Sequence, residues 1–236
     1  MAGKTCHTGL EGSKVRAMIL AAGRGSRMRP LTDNQPKPLL PIAGKPLLAY
    51  HLEKLAQAGV NEVVINHAWH GEQIENFVGD GSRWGLQVSF SAEPEGGLET
   101  VGGIIKALPL LGDEPFWVIN GDIWTDWDYR DLPTQLEKEQ LAHLIMVKNP
   151  VHHPEGDFAL ENGLLVNDGS ERKTFSGIGL YRKELLEPYP QGKQPLKTFF
   201  DRAINQSRLA ASYWEGHWTD VGTPERLHQL NQQLEK

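Results

Sequence analysis

The chain has 236 residues and a formal net charge of −6, with 39% hydrophobic and 23% charged residues. That composition is ordinary for a folded chain long enough to bury a real core, and it excludes a low-complexity tail and a general binder of nucleic acid, which would be basic. The single cysteine, Cys6, excludes an internal disulfide and suits a cytoplasmic chain, and no apolar run is long enough to span a membrane.

Charge is unevenly placed. From Lys14 to Lys45 seven cations face Asp33 alone, for +6, while residues 46–236 carry −12. A positive patch in an acidic chain gathers small anions without holding a polyanion. Residues 1–14 have no apolar stretch of the kind a secretory signal needs, and are expected to be a leader or cloning remnant outside the fold. Residues 15–236 are expected to form one domain in two parts, 15–125 and 126–236.

Val15 to Ala22 is nearly free of polar residues, as in a strand buried on both faces of a parallel sheet. It ends in Gly23-Arg24-Gly25-Ser26-Arg27-Met28-Arg29, where glycines allow close approach of a ligand and three cations expect an anion. Met28 stands where a dinucleotide fingerprint needs its third glycine or alanine, and no Gly-Lys-Ser/Thr closes a Walker loop. The prolines of Gln35–Pro41 predict a stiff extended connector that aims Lys37. Helices are predicted from Pro46 to Gly59, from about His70, and over Leu98–Leu108, alternating with strands at Val63–Asn66, Leu86–Ser91 and Phe116–Asp122. Repeated strand-helix units predict a Rossmann-like α/β fold, a mostly parallel mixed sheet flanked by helices.

After residue 125 the pattern shifts to α+β. A polar helix is predicted at Asp131–Glu139 and a strand at Leu144–Lys148. Asn162-Gly163 predicts a tight hairpin between Asp157 and Val166. A strand over Thr174–Tyr181 carries Ser176-Gly177, where an internal glycine marks close approach. A helix follows at Lys197–Asn205, then a lid-like hairpin pairing Leu209–Trp214 with His217–Asp220, then a helix capped by Thr223 with Pro224 first.

Two aspartates, Asp122 and Asp220, close apolar strands and are expected on one sheet edge near the glycine loop. Two carboxylates beside a phosphate loop suit Mg²⁺, which completes its shell with phosphates and water. Asp126 and Asp128 are expected to face solvent. The nine histidines, including the adjacent His152-His153, lack zinc spacing, and no Gly-x-Ser-x-Gly elbow is present.

Together these stretches resemble the sugar-1-phosphate nucleotidyltransferases. The resemblance rests on Leu20-Ala21-Ala22-Gly23-Arg24-Gly25-Ser26-Arg27-Met28-Arg29-Pro30-Leu31-Thr32, Pro36-Lys37-Pro38, Asn120-Gly121-Asp122 and Trp218-Thr219-Asp220-Val221-Gly222-Thr223-Pro224, and covers residues 15–236. It implies transfer of a nucleotidyl group from a nucleoside triphosphate to a sugar 1-phosphate with Mg²⁺, by a monomer that needs neither nucleic acid nor membrane. Residues 15–125 would bind nucleotide and 126–236 the sugar. Arg27 and Lys37 would be catalytic, and Asp122 and Asp220 would hold the metal. Ala22, Gly23, Gly25, Glu93, Gly103 and Asn120 would join Arg27 and Lys37 around the nucleotide. Asp157, Glu161, Ser176, Gly177 and Lys197 would line the sugar pocket.

Within the family, the short chain is most similar to bacterial uridylyltransferases of cell-wall recycling that act on N-acetylmuramate α-1-phosphate. Ile65–Trp69, Leu98–Gly103, Gly156–Phe158 and Thr174–Ile178 carry that likeness. Residues Glu93 to Gly103 depart from the family's commoner Gln-x-x-x-Gly-Thr-Ala, which leaves guanylyl transfer to mannose 1-phosphate and thymidylyl transfer to glucose 1-phosphate open. So does a non-catalytic sensor of sugar nucleotides.

Overall fold

The computed structural model describes residues 15–189 and 194–235; the leader and Cys6 lie outside the described residues. The strands in the first part are β1 (Ala17–Leu20), β2 (Pro41–Ile42), β3 (Lys45–Pro46), β4 (Glu62–His67), β5 (Gln87–Ala92), β6 (Phe116–Asn120) and β7 (Ile123–Thr125). Among them run helices α1 (Leu47–Gln57), α2 (Gly71–Val78) and α3 (Glu99–Leu111). The second part adds β8 (Ala142–Val147), β9 (Phe158–Glu161), β10 (Leu164–Val166), β11 (Arg172–Tyr181), β12 (Leu209–Trp214) and β13 (Trp218–Asp220), with helices α4 (Leu196–Asn205) and α5 (Pro224–Leu234).

One nine-stranded sheet runs through both parts in the order β5-β4-β1-β6-β11-β8-β12-β10-β9. Strands β5, β4, β1 and β6 are mutually parallel, as the strand-helix alternation requires. The antiparallel β11 joins β6 to the second part, where β12 beside β8 is the parallel exception. Alternate residues of β1 serve opposite faces. Ala17 and Ile19 pack with Leu48, Leu52 and Leu55 of α1 and Ile74 of α2, whereas Met18 packs with Val101 and Ile104 of α3. Burial of such side chains supplies roughly 1.5–3 kcal/mol each. This two-sided core holds the end of β1 and the loop after it in fixed register with the end of β6.

The Asn-Gly hairpin forms as expected, with φ of 51° at Asn162 and 81° at Gly163. Three other expectations are corrected. Asp131–Glu139 is not a helix: a single turn covers Tyr129–Asp131 and the chain then runs irregularly. The carbonyls a helix would use are taken by distant donors, Pro133 by Trp117 Nε1 and Leu136 by Arg182, and Leu132 and Leu136 are buried. No hairpin joins Leu209–Trp214 to His217–Asp220. β12 enters the large sheet beside β8, while β13 leaves to pair antiparallel with β7. Lys37–Leu39 is one helical turn rather than an extended connector, although Lys37 is rigidly held as expected, only 7% exposed.

Candidate active site

A cavity of about 500 Å³ opens at the carboxyl ends of β1, β4 and β6, where open α/β sheets place ligands. Its walls bring together Ala22, Gly23, Gly25, Arg27, Lys37, Glu93, Asn120 and Asp122 from well-separated stretches of chain.

The glycine loop has two different glycines. Gly25 has φ of 68° and tops a helical turn at Ser26–Met28; a Cβ there would lie 3.0 Å from Thr32 Cγ2. Gly23 meets nothing, so its missing side chain leaves open space beside the cavity. The three loop arginines diverge. Arg24 and Arg27 both line the cavity, Arg24 with its guanidinium 4.4 Å from the centroid of the Trp69 ring, and Arg29 pairs with Asp33 at 3.2 Å. Lys37 Nζ reaches across to Asp122 Oδ2 at 2.6 Å, so a cation and a carboxylate share the cavity wall.

Asp220 is not at the end of a main-sheet strand. It comes to Asp122 by another route, because β13 pairs with β7 and Val221 N donates to the Asp122 carbonyl at 2.7 Å. Its Oδ2 lies 3.1 Å from an Arg226 guanidinium nitrogen. Gly222 leaves room for that arginine, since a Cβ there would fall 1.8 Å from the nitrogen. Asp220 Oδ1 is buried and makes no hydrogen bond, with His152 Nε2 3.0 Å away. A buried carboxylate oxygen held by no hydrogen bond suits a hard cation. Among the described residues no group of three or more His, Cys, Asp or Glu side chains forms a metal cluster, so a cation here would draw on phosphate oxygens.

Glu93 and Gly103, expected to face the base, are engaged with each other and with Asn66. Glu93 Oε1 accepts from Asn66 Nδ2 at 2.7 Å, and Oε2 accepts from Leu98 N at 2.6 Å. Asn66 Oδ1 accepts from Ala21 N at 2.8 Å. A Cβ on Gly103 would fall 2.5 Å from Glu93 Oε1, so the glycine exists for this network. Sequence reasoning missed Asn66; its signal was a polar residue continuing the apolar run of β4, now seen at 2% exposure.

The residues expected at a sugar pocket are not gathered at this cavity. Gly177, at φ of 82°, packs against Asn120, where a Cβ would lie 2.6 Å from Nδ2. Ser176 is buried, and its carbonyl accepts from Trp218 Nε1 at 2.9 Å. Asp157 Oδ2 accepts from Phe175 N at 2.8 Å, and its Oδ1 lies 3.2 Å from His153 Nε2. Glu161 is exposed at the tip of the β9–β10 hairpin, and Lys197 is paired with Asp201 at 2.6 Å. Asp126 is exposed, as expected, but accepts from His217 N, and Asp128 is held by Arg130, whose hydrogen bonds bring its carboxyl down to about 2.

What the site can do chemically follows from its contents. It has clustered cations, glycine backbone and the Asp122 carboxylate on its wall, with Asp220 joined to Asp122 through the β7–β13 pair, which suits binding and neutralising phosphates. Comparison with known proteins gives the same direction. Residues 16–160 match the family model described as nucleotidyl transferase. The chain is 50% identical over 220 residues to the N-acetylmuramate alpha-1-phosphate uridylyltransferase of Neisseria meningitidis serogroup B, covering 90% of this chain and 95% of that protein. The protein of the same name from Caulobacter vibrioides is 32% identical, covering 89% of this chain and 92% of the other. The mannose-1-phosphate guanylyltransferase catalytic subunit beta of Drosophila melanogaster is 30% identical, but this chain spans only 62% of it. Among solved structures, a Bacillus anthracis chain named as a glucose-1-phosphate thymidylyltransferase, in complex with sucrose, superposes with a TM-score of 0.81 at 21% identity, covering 93% of this chain and 94% of that one. No helix among the described residues is long and apolar enough to cross a membrane. The chain belongs to the nucleotidyl transferase family.

Proposed function

We propose that the chain transfers a uridylyl group from UTP to N-acetylmuramate α-1-phosphate with Mg²⁺, releasing pyrophosphate and forming UDP-N-acetylmuramate for reuse of cell-wall sugar. The observation that carries the reaction is the single cavity shared by the glycine loop, Arg27, Lys37 and Asp122, with Asp220 joined to Asp122 through the β7–β13 pair. The choice of uridylyl group and sugar is supported by the 50% identity along nearly all of both chains.

The chemistry asks little of side chains. A sugar phosphate oxygen is already anionic near neutral pH, so no general base is needed to make the nucleophile. What the chain supplies is position and charge. Ala22, Gly23 and Gly25 let the triphosphate lie against backbone at the end of β1. Arg27 and Lys37 offset charge growing on the α-phosphate and the departing pyrophosphate. Lys37 is suited to this by its confinement: it is 7% exposed and held from below by the one-turn helix that contains it. Asp122 and Asp220, whose Oδ1 makes no hydrogen bond, would hold Mg²⁺, whose charge when bound neutralises phosphate oxygens. Glu93, Gly103 and Asn120 would shape the base and ribose end. Asp157, Glu161, Ser176, Gly177 and Lys197 would serve the sugar, across the Gly177–Asn120 contact that joins the two parts.

The test is pyrophosphate release from UTP, GTP, dTTP and ATP, each with N-acetylmuramate α-1-phosphate, N-acetylglucosamine 1-phosphate, mannose 1-phosphate and glucose 1-phosphate. The highest kcat/KM is expected for UTP with N-acetylmuramate α-1-phosphate. A preference for GTP with mannose 1-phosphate or dTTP with glucose 1-phosphate would overturn the substrate assignment. Binding without release in every combination would make the chain a sensor.

A further inference from the structure

Resting on the nucleotide-binding reading of this cavity, we infer that Asn66 and Glu93 form a matched positioning pair that sets the end of β1 against the wall at residues 93–98, and that this pair requires a carboxylate at position 93. The argument is one of donors and acceptors. The amide N–H of Ala21 can only donate, so the Asn66 atom facing it must be Oδ1. That fixes Nδ2 toward position 93, where it donates to Glu93 Oε1. The backbone N–H of Leu98, equally unable to accept, takes Glu93 Oε2. Position 93 therefore faces two donors at once. A carboxylate has two acceptor oxygens; a glutamine has one acceptor and one donor, and would aim its NH₂ at another N–H whichever way it turned.

The surroundings leave no room for escape. Asn66 and Glu93 are 2% and 9% exposed, and Gly103 presents bare backbone where a Cβ would strike both. The linked groups also sit where position matters. Ala21 lies two residues before the glycine loop, and Leu98 leads into the first turn of α3, whose Glu99 and Thr100 line the cavity with Glu93 and Asn66. The pair thus ties the floor of the nucleotide cavity to its side wall. Asn66 and Glu93 act through backbone they hold.

The donor-acceptor logic can be inverted. In Glu93→Gln, one of the two donors loses its acceptor. In Asn66→Asp, two carboxylates meet at the 2.7 Å contact. In the double variant, the carboxylate introduced at position 66 accepts from Ala21 N and from the amide NH₂ introduced at position 93, while the oxygen of that amide accepts from Leu98 N. Every hydrogen bond is restored at unchanged net charge.

The experiment is calorimetric titration of UTP, GTP, dTTP and ATP into the full chain and the three variants, with unfolding midpoints and steady-state kinetics alongside. Each single variant is expected to bind the preferred triphosphate about tenfold more weakly, the effect of stranding one buried hydrogen-bonding group, with KM rising more than kcat falls. The double variant is expected to recover at least half of that loss on a logarithmic scale. Wild-type affinity in folded Glu93→Gln, or a double variant as weak as the worse single variant, would overturn the inference alone. If the single variants do not fold, the double variant decides it: a folded double variant with near wild-type binding supports the pairing, and an unfolded one refutes it. Failure of the wild type to bind any of the four triphosphates would overturn the nucleotide reading, and the inference with it.

Discussion

His51 on α1 should make the protein markedly acid-sensitive. The ring is 2% exposed, and its Nδ1 lies 2.9 Å from the hydroxyl of Tyr129, itself buried. Burial brings the imidazole down from 6.5 to about 4, opposed by the Ile123 carbonyl and by the charge of Asp122 and helped by Lys54. The folded chain therefore holds His51 neutral while the unfolded chain protonates it from about pH 6.5 downward. The contribution is complete above the unfolded value and is lost as pH falls toward 4. Each tenfold difference in proton affinity is worth about 1.4 kcal/mol, so the full loss is roughly 3 kcal/mol, of which about 2 kcal/mol falls between pH 7 and pH 5. Urea unfolding at pH 7, 6 and 5 would measure it, with His51→Gln as the reference that removes this titration and leaves the carboxylates alone. The wild type should lose about 2 kcal/mol more than the variant between pH 7 and pH 5. Equal losses in both proteins would refute the reasoning.

Gly177→Ala should cost at least about 2 kcal/mol in urea unfolding, because alanine must take a φ of 82° and its Cβ meets Asn120 Nδ2 at 2.6 Å; an unchanged midpoint would show that the β11 bulge relaxes freely. Asp122→Ala and Asp220→Ala should nearly abolish pyrophosphate release while circular dichroism stays native, and near wild-type rates with Mg²⁺ present would remove the metal assignment. Lys37→Ala should lower kcat by roughly 100-fold, as removal of a charge-stabilising donor does. A change confined to KM would show that Lys37 binds without aiding transfer.

Much of the fold was readable because the local signals and the burial pattern agreed. Val15–Ala22 suits a strand buried on both faces, and β1 forms within it at Ala17–Leu20, with Ala17 and Ile19 in one core and Met18 in the other. Asn162-Gly163 read correctly because a two-residue turn needs two positive φ angles. The failures lie where tertiary partners decide. Asp131–Glu139 has the composition of a helix, but Arg182 and Trp117 claim its carbonyls from afar. Trp214 and Trp218 are close in sequence, yet the large sheet takes one strand and β7 the other. At the site, the glycine loop and Asp122 were legible because each follows an apolar strand, and Lys37 because prolines flank it. That Asp220 reaches Asp122 by pairing with β7, and that Glu93 spends its oxygens on Asn66 and Leu98, depends on contacts no spacing encodes.

The most direct test of the central claim is the product balance of one reaction: UTP, N-acetylmuramate α-1-phosphate and Mg²⁺ with the wild-type chain, products identified by mass spectrometry. Formation of UDP-N-acetylmuramate and pyrophosphate in equal amounts, dependent on the sugar phosphate and lost in Asp122→Ala, is the predicted result. Release of UMP and pyrophosphate from UTP at the same rate without the sugar phosphate would contradict it.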